Sequence, residues 1–261
     1  SAIWALDPQQ RNFVFDYASL LACAWGRPSE AFGPMYEIFD STRRVARLPG
    51  PPYHFMSRVT RIDGELGACK PGAEIEIAYD VPESVWYFNE NAQAVMPFAV
   101  LLEAALQPCG WLASFVGSAL TVGDKDVSFR NLDGTGTVLT EVFPSMGTPA
   151  YELKTVFGFF PGAALENQIG LPTSTEQRAL LEVATPFLVD LTPRPERYCA
   201  GSLRMCEPML LMVDRITACD AKGGREGLGF VRGEKDVDPN EWFFKAHFFQ
   251  DPVQPGSLGI E

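Results

Sequence analysis

The chain has 261 residues, 46% of them apolar and 12% aromatic, enough for a substantial core in one large domain or two ordinary ones. A formal net charge of −12 argues against nucleic acid as a partner and disfavours anionic membrane surfaces. The longest apolar run, AVMPFAVLLEAAL, has 13 residues and contains Glu103, too short for a membrane span, and the first residues show neither the n-region nor the h-region of a secretion signal, so none is expected.

Residues 1–48 read as an N-terminal helical linker. The stretch VTRIDGELGACKPGAEIEIAYDV alternates apolar and polar residues around glycine turns, the pattern of strands. Pro97 then opens PFAVLLEAALQPCGWLASFVGSAL. Its length and its Ala and Leu content predict one long helix, with a kink allowed at Pro108. Glu103, Gln107, Ser114 and Ser118 fall on one narrow stripe of that helix. The runs VSFRNL, TVLTEVF and YELKTVFGFF are strand-like, and the GTG at 134–136 reads as a hairpin turn. The Pro- and Gly-rich stretch 161–200 is a connector carrying one helical segment, TEQRALLEVATPFL. Together these predict an α+β class, a long helix wrapped by a curved antiparallel sheet.

The chain also repeats itself. Arg58, Thr60 and Asp63 match Arg215, Thr217 and Asp220 at an offset of 157. Asp80, Val81, Trp86 and Phe88 match Asp236, Val237, Trp242 and Phe244 at 156, and MPFAVLLE lies against QPGSLGIE at 158. Three blocks in one order imply two fused copies of a single unit. The first covers 49–160. The second opens at 201 and is incomplete at 261, so the chain is expected to be a piece of a longer polypeptide.

The six cysteines, Cys23, Cys69, Cys109, Cys199, Cys206 and Cys219, contain no C-x-x-C pair and no zinc spacing. They read as reduced, mostly buried thiols of a cytosolic protein. No G-x-S-x-G and no phosphate loop is present.

Chemistry concentrates in WFFKAHFFQDPVQPGSLGIE. His247 ends an aromatic segment. It reads either as a packed structural histidine or as a general base that apolar surroundings keep neutral. His247 and Asp251 can also be read as metal ligands, two groups without a third. Pro255-Gly256 opens a helix whose unpaired N–H groups could hold an oxyanion, or is a plain turn. Glu103 is a solvated stripe residue or an acid on an apolar helix; its repeat partner is Glu261. His247 has no imidazole partner, because Asn91 stands at its place in the first copy. His54, in a strand-like stretch, reads as structural.

At these residues the chain resembles the bacterial beta-hydroxyacyl-ACP dehydratases of hot-dog fold, nearest the decanoyl-type branch. The segments WYFNENAQAVMPFAVLLEAALQPCGWLAS and FRNLDGTG are similar to the dehydratase region of polyunsaturated fatty acid synthases. The resemblance implies a double hot-dog with the second copy truncated. It also implies a stretch from Phe143 to Pro149 shorter than the family's, with a strand pair missing. By the same resemblance His247 would pair with Glu103 across the copies, the Gly256 N–H would bind a thioester oxygen, and Asn91 with Glu261 would make a silent second site.

The reaction implied is loss of water from a 3-hydroxyacyl chain on acyl carrier protein, with no cofactor and no metal. Double-bond isomerisation is an adjacent step that the same residues could run. Implied partners are the carrier, other synthase domains and a second copy in a homodimer, with no nucleic acid and no membrane span. Lys245, Arg225, Arg232 and Lys235 are expected to face the carrier or simply solvent. Rival readings are a hot-dog thioesterase and a non-catalytic acyl-binding module of a synthase.

Overall fold

The computed structural model describes residues 14–41, 43–93, 95–122, 126–138, 151–170 and 172–261. In chain order, Asp16 caps α1 (Tyr17–Ala24), its carboxylate accepting from the Ser19 N–H at 2.9 Å. Pro28 starts α2 (Pro28–Phe32), at the position where a missing N–H costs nothing. Strands β1 (Arg58–Asp63) and β2 (Glu74–Ala78) form an antiparallel pair. They are followed by the short α3 (Trp86–Glu90) and the long α4 (Phe98–Phe115). Next come β3 (Val127–Val138) and β4 (Tyr151–Pro161), also antiparallel, then α5 (Gly162–Glu166). In α6 (Thr175–Leu181), Ser174 and Gln177 close a capping box. The remaining elements are β5 (Val189–Asp190), α7 (Glu196–Cys199), β6 (Arg215–Asp220), β7 (Phe230–Glu234), α8 (Trp242–Ala246) and α9 (Gly256–Ile260).

Three expectations change. The strands pair as β1–β2, β3–β4 and β5–β6–β7, so among the described residues the hydrogen bonds join local antiparallel partners, not one wrapped sheet. The long helix runs through Pro108 but stops at Phe115, not at 120. Gly117 takes φ +84°, and the freed carbonyls of Phe115 and Val116 accept from the N–H groups of Gly67 and Cys69 at 2.9 and 2.7 Å. A Cβ on Gly117 would lie 2.7 Å from the Gly67 Cα, so the two backbones can approach this closely only without side chains. Finally, 134–136 is no hairpin turn. β3 continues through it, pairing Gly134 with Thr155 and Gly136 with Leu153. The Tyr151 ring lies over Gly136, where a Cβ would meet its hydroxyl at 2.0 Å, so the glycine makes room for an aromatic in mid-strand. The expected run TVLTEVF beyond Val138, and the stretch Phe143 to Pro149, lie outside the described residues.

The chain divides into two compact units, each drawing on both sequence repeats. The first is Ser1–Asp80, Glu103–Gln168 and Ala246–Pro252; the second is Val81–Leu102, Ile169–Lys245 and Val253–Glu261. In the first unit, the stretch read as a linker supplies Leu20, Cys23, Phe32, Tyr36 and Phe39 to the core, around Trp111 and Phe115 of α4. Trp111 and Phe115 stack with ring centres 5.4 Å apart, and Phe15 meets Trp111 edge-on at 4.8 Å. The Tyr36 hydroxyl donates to the Ser114 and Phe115 carbonyls.

The repeat is visible in local structure. β1 and β6 start at the matched arginines and end at the matched aspartates, and both slip register at matched places, between Val59 and Arg61 and between Ile216 and Ala218. In the first unit Arg58 pairs with Asp80; in the second Arg215 pairs with Asp236 at 2.7 and 2.9 Å. The Gly50 N–H donates to the Ala246 carbonyl at 2.8 Å in the first unit. Its counterpart in the second is the Glu207 N–H donating to the Glu90 carbonyl at 2.7 Å. Trp86 and Trp242, partners in the repeat, meet edge-on at 5.4 Å in the second unit.

Gly50 is needed for this anchor. A Cβ there would sit 1.9 Å from the Trp25 indole. Gly50→Ala should therefore cost about 1–3 kcal/mol by overpacking, and Trp25→Ala in the same chain should recover part of it, since Trp25 is itself partly exposed. Urea denaturation of the two single variants and the double reads this coupling.

Candidate active site

The site is built on the stripe of α4 in the first unit. Glu103, Gln107 and Ser114 are buried there, so the stripe is not the solvated face that helical spacing alone suggested. Each polar group is held. The Ser114 hydroxyl donates to the Ala46 carbonyl at 2.7 Å. Gln107 works at both ends: its carbonyl oxygen accepts from the Phe55 N–H at 2.8 Å, and its amide donates to the Tyr53 carbonyl at 2.9 Å and to Glu103 Oε2 at 3.3 Å. Gln107 thus pins the stretch 53–55 to the helix and aims the Glu103 carboxylate. Sequence reading placed Gln107 on the stripe but gave it no role. The available signal was its place one turn from Glu103 on the same face.

Tyr53 links this helix to the histidine segment. It is fully buried, and its ring meets the His247 imidazole edge-on, ring centres 6.4 Å apart. His247 is half-buried and also packs on Phe248. The bond from Gly50 to Ala246 fixes the residue before it. The structure places His247 and Glu103 in one unit: His247 lies against the Tyr53 ring, and Glu103 accepts from Gln107, whose amide also donates to the Tyr53 carbonyl. His54 stays structural: it is buried, its Nδ1 lies 2.8 Å from the Pro49 carbonyl, and burial lowers its imidazole below the ordinary value.

The segment after His247 is tied down by arginines. Asp251 accepts two bonds from Arg130, at 2.6 and 3.0 Å, with Arg44 at 3.9 Å. Gln250 accepts from Arg47 at 3.2 and 3.3 Å and donates to the Ser41 carbonyl at 3.2 Å. Buried Arg47 also donates to the Gly26 and Cys23 carbonyls just past and within α1, at 2.8 and 3.3 Å. With both oxygens of Asp251 engaged by Arg130, the reading of His247 and Asp251 as metal ligands falls away. Among the described residues no cluster of His, Cys, Asp or Glu could hold a metal ion.

Burial alone would raise the Asp251 carboxyl. Hydrogen bonds from Arg130 and Ser128 and the charges of Arg130 and Arg44 instead hold it below the usual carboxylate range. The stability it contributes is thus present above its unfolded value near pH 3.9 and is lost as pH falls through the lower folded value. An acid titration should show wild type above Asp251→Asn in stability at neutral pH, with the two curves merging once the folded carboxyl is protonated.

The residues assigned to the other site lie in the second unit. The Asn91 amide donates to the Val95 carbonyl at 3.0 Å. Glu261 Oε2 accepts from the Ala99 N–H at 3.1 Å, capping the first turn of α4. Gly256, which the resemblance assigns to the His247 site instead, also belongs to the second unit; it opens α9, and a Cβ there would meet nothing within 4 Å. Of the four basic residues expected to face a carrier or solvent, Arg232 and Lys235 are engaged within the second unit, whereas Arg225 and Lys245 are exposed. Arg232 donates to the Leu181 and Val183 carbonyls at the end of α6, at 2.6 and 3.0 Å; Lys235 pairs with Glu241 at 2.8 Å; Arg225 pairs with its neighbour Glu226 at 3.5 Å. The six thiols are free but not mostly buried: Cys23 is buried, Cys69 and Cys219 are exposed, and the others lie between. Burial pushes the Cys23 thiol up to about 11. Among the described residues one helix, Phe98–Phe115, is long and apolar enough by length and composition alone to cross a membrane, but half of it is buried in the protein, as in a core helix.

Residues 205–261 match the model of the FabA-like domain. The chain is also similar to a polyunsaturated fatty acid synthase polypeptide of Thraustochytrium sp., 27% identical over 95% of this chain and 20% of that protein. It spans about a fifth of the length of that relative. Residues 205–261, in the second repeat, are thus similar to the FabA-like domain, and nearly the whole chain is similar to part of a polyunsaturated fatty acid synthase polypeptide.

Proposed function

We propose that this chain is a dehydratase region of fatty acid synthesis that removes water from 3-hydroxyacyl thioesters carried on acyl carrier protein. The observation that supports the reading is that His247, from the second repeat, and Glu103, from the first, belong to one unit, where His247 packs on Tyr53 and Glu103 reaches the Tyr53 carbonyl's partner Gln107. Neutral His247 takes the proton from the carbon beside the thioester. Negative charge develops on the thioester oxygen. The Gly256 N–H, a first-turn donor with open space beside its Cα, is assigned to that oxygen by resemblance. The C3–O bond then breaks as Glu103 delivers a proton to the leaving hydroxyl. The products are water and a 2-enoyl thioester, and the proton on His247 returns to Glu103 between turnovers. No electron changes hands, so the proton transfers need no redox cofactor. The same pair can move a proton along the product, which is the route to an isomerised enoyl chain.

Asn91 cannot act as a base, so its pairing with Glu261 makes a site without turnover. The double hot-dog arrangement, the carrier, neighbouring synthase domains, a homodimer and a cytoplasmic location belong to the same reading. The decisive assay offers a 3-hydroxyacyl thioester and follows both products. Formation of the conjugated enoyl thioester supports dehydration. Release of free thiol without it would point to the thioesterase reading, and neither product would leave an acyl-binding module.

A further inference from the structure

We propose that Asp251, gripped by Arg130, is a positioning residue that sets the His247-bearing segment for the reaction. The inference rests on His247 being the base of the reading above. After α8 the chain from His247 to Pro252 forms no strand or helix. Arg47 and the Ser41 carbonyl hold Gln250 within it, and two further anchors hold its ends. One is the Gly50 N–H on the Ala246 carbonyl. The other is the fork of Arg130 on Asp251, at 2.6 and 3.0 Å. His247 lies between them.

The second anchor is stiff at its root. Arg130 stands on β3 paired with Gly158 of β4, and its guanidinium also donates to the Phe129 carbonyl at 2.8 Å. A bidentate Arg–carboxylate pair fixes direction as well as distance, which a lysine in the same place would not. The pair is also largely sheltered, with side chains 24% and 22% exposed, so solvent screens it less than a surface ion pair.

The repeat supplies an independent argument. In the first copy, Asn91 replaces the histidine, and the following stretch Ala92 to Met96 contains no acid. The carboxylate is present in the copy that has an imidazole and absent from the copy that lacks one. An acid needed only to close this turn would be expected in both.

The test uses Asp251→Asn and Arg130→Lys in the full chain, the second keeping the positive charge if the first folds poorly. Each should lower kcat about 10- to 100-fold, the cost of a small misplacement of a reacting group, with KM changed less than about twofold. Placing Asp251→Asn on top of His247→Ala should lower activity no further, because the clamp acts through the imidazole. The proposal is overturned if kcat stays within about twofold of the parent in both variants, or if the loss in kcat is regained on assaying well below the unfolding midpoint, which marks a purely structural role. The base assignment fails separately. In that case His247→Ala itself retains dehydration, whereas a failed clamp leaves His247→Ala inactive and Asp251→Asn working like the parent.

Discussion

His247→Ala should reduce dehydration of a 3-hydroxyacyl thioester by about 10²- to 10⁴-fold, the range a positioned general base supplies. The fold should survive, because the imidazole is half-buried and lies at the border of Tyr53 and Phe248, not in the core. Glu103→Gln should cost nearly as much. The amide oxygen can still accept from Gln107, so the side chain keeps its place, but it has no acidic proton to give. Asn91→Ala should leave turnover within about twofold of the parent, since the Asn91 amide serves the Val95 carbonyl. Far-UV dichroism and steady-state kinetics on the three variants separate chemistry from folding. An inactive Asn91→Ala beside an active Glu103→Gln would show that the pairing of His247 with Glu103 is wrong.

The largest effect on stability is expected at Trp111. Its indole is fully buried, stacked on Phe115 and met edge-on by Phe15, and it joins the N-terminal helices to α4. Trp111→Ala should cost about 3–5 kcal/mol through lost burial and an unfilled cavity, a large part of the roughly 5–15 kcal/mol by which a typical domain is stable. Trp111→Phe should cost far less than its change in volume suggests. The indole N–H finds no acceptor among the described residues, and phenylalanine removes that unsatisfied donor while keeping an aromatic face for Phe115. Urea unfolding of both variants tests the contrast. Equal losses would mean that the N–H is satisfied after all.

The alternation in VTRIDGELGACKPGAEIEIAYDV was legible as β1 and β2, because one face of that hairpin meets a core while the other meets water. The duplication was legible from three short blocks and reappears as matched strands, matched register slips and matched arginine–aspartate pairs. Other features were hidden for physical reasons. The end of α4 depends on Gly117 meeting Gly67, a contact between residues far apart in the chain that no local periodicity records. Gly134 and Gly136 carry the usual mark of a turn, yet Tyr151, far along the chain, uses the space over Gly136. In the site, His247 and Glu103 stood out because they are unusual in apolar company. Gln107, Arg47 and Arg130 did not, since their importance lies in what they touch: the Tyr53 carbonyl, Gln250 and Asp251. The first 48 residues showed too little pattern to be read as core, although aromatic residues from this stretch surround Trp111.

Each unit is assembled from pieces of both repeats, with Ala246–Pro252 in the first and Val81–Leu102 in the second. Recombining such proteins therefore obeys an unusual rule. A chimera joined within the connector, with its front half from one parent and its back half from another, would not trade one intact catalytic centre for the other. It would put His247 of one ancestor into the same unit as Glu103 of the other and ask two unrelated packings to agree. Productive crossovers should instead lie outside both repeats, so that the duplicated pair is inherited whole.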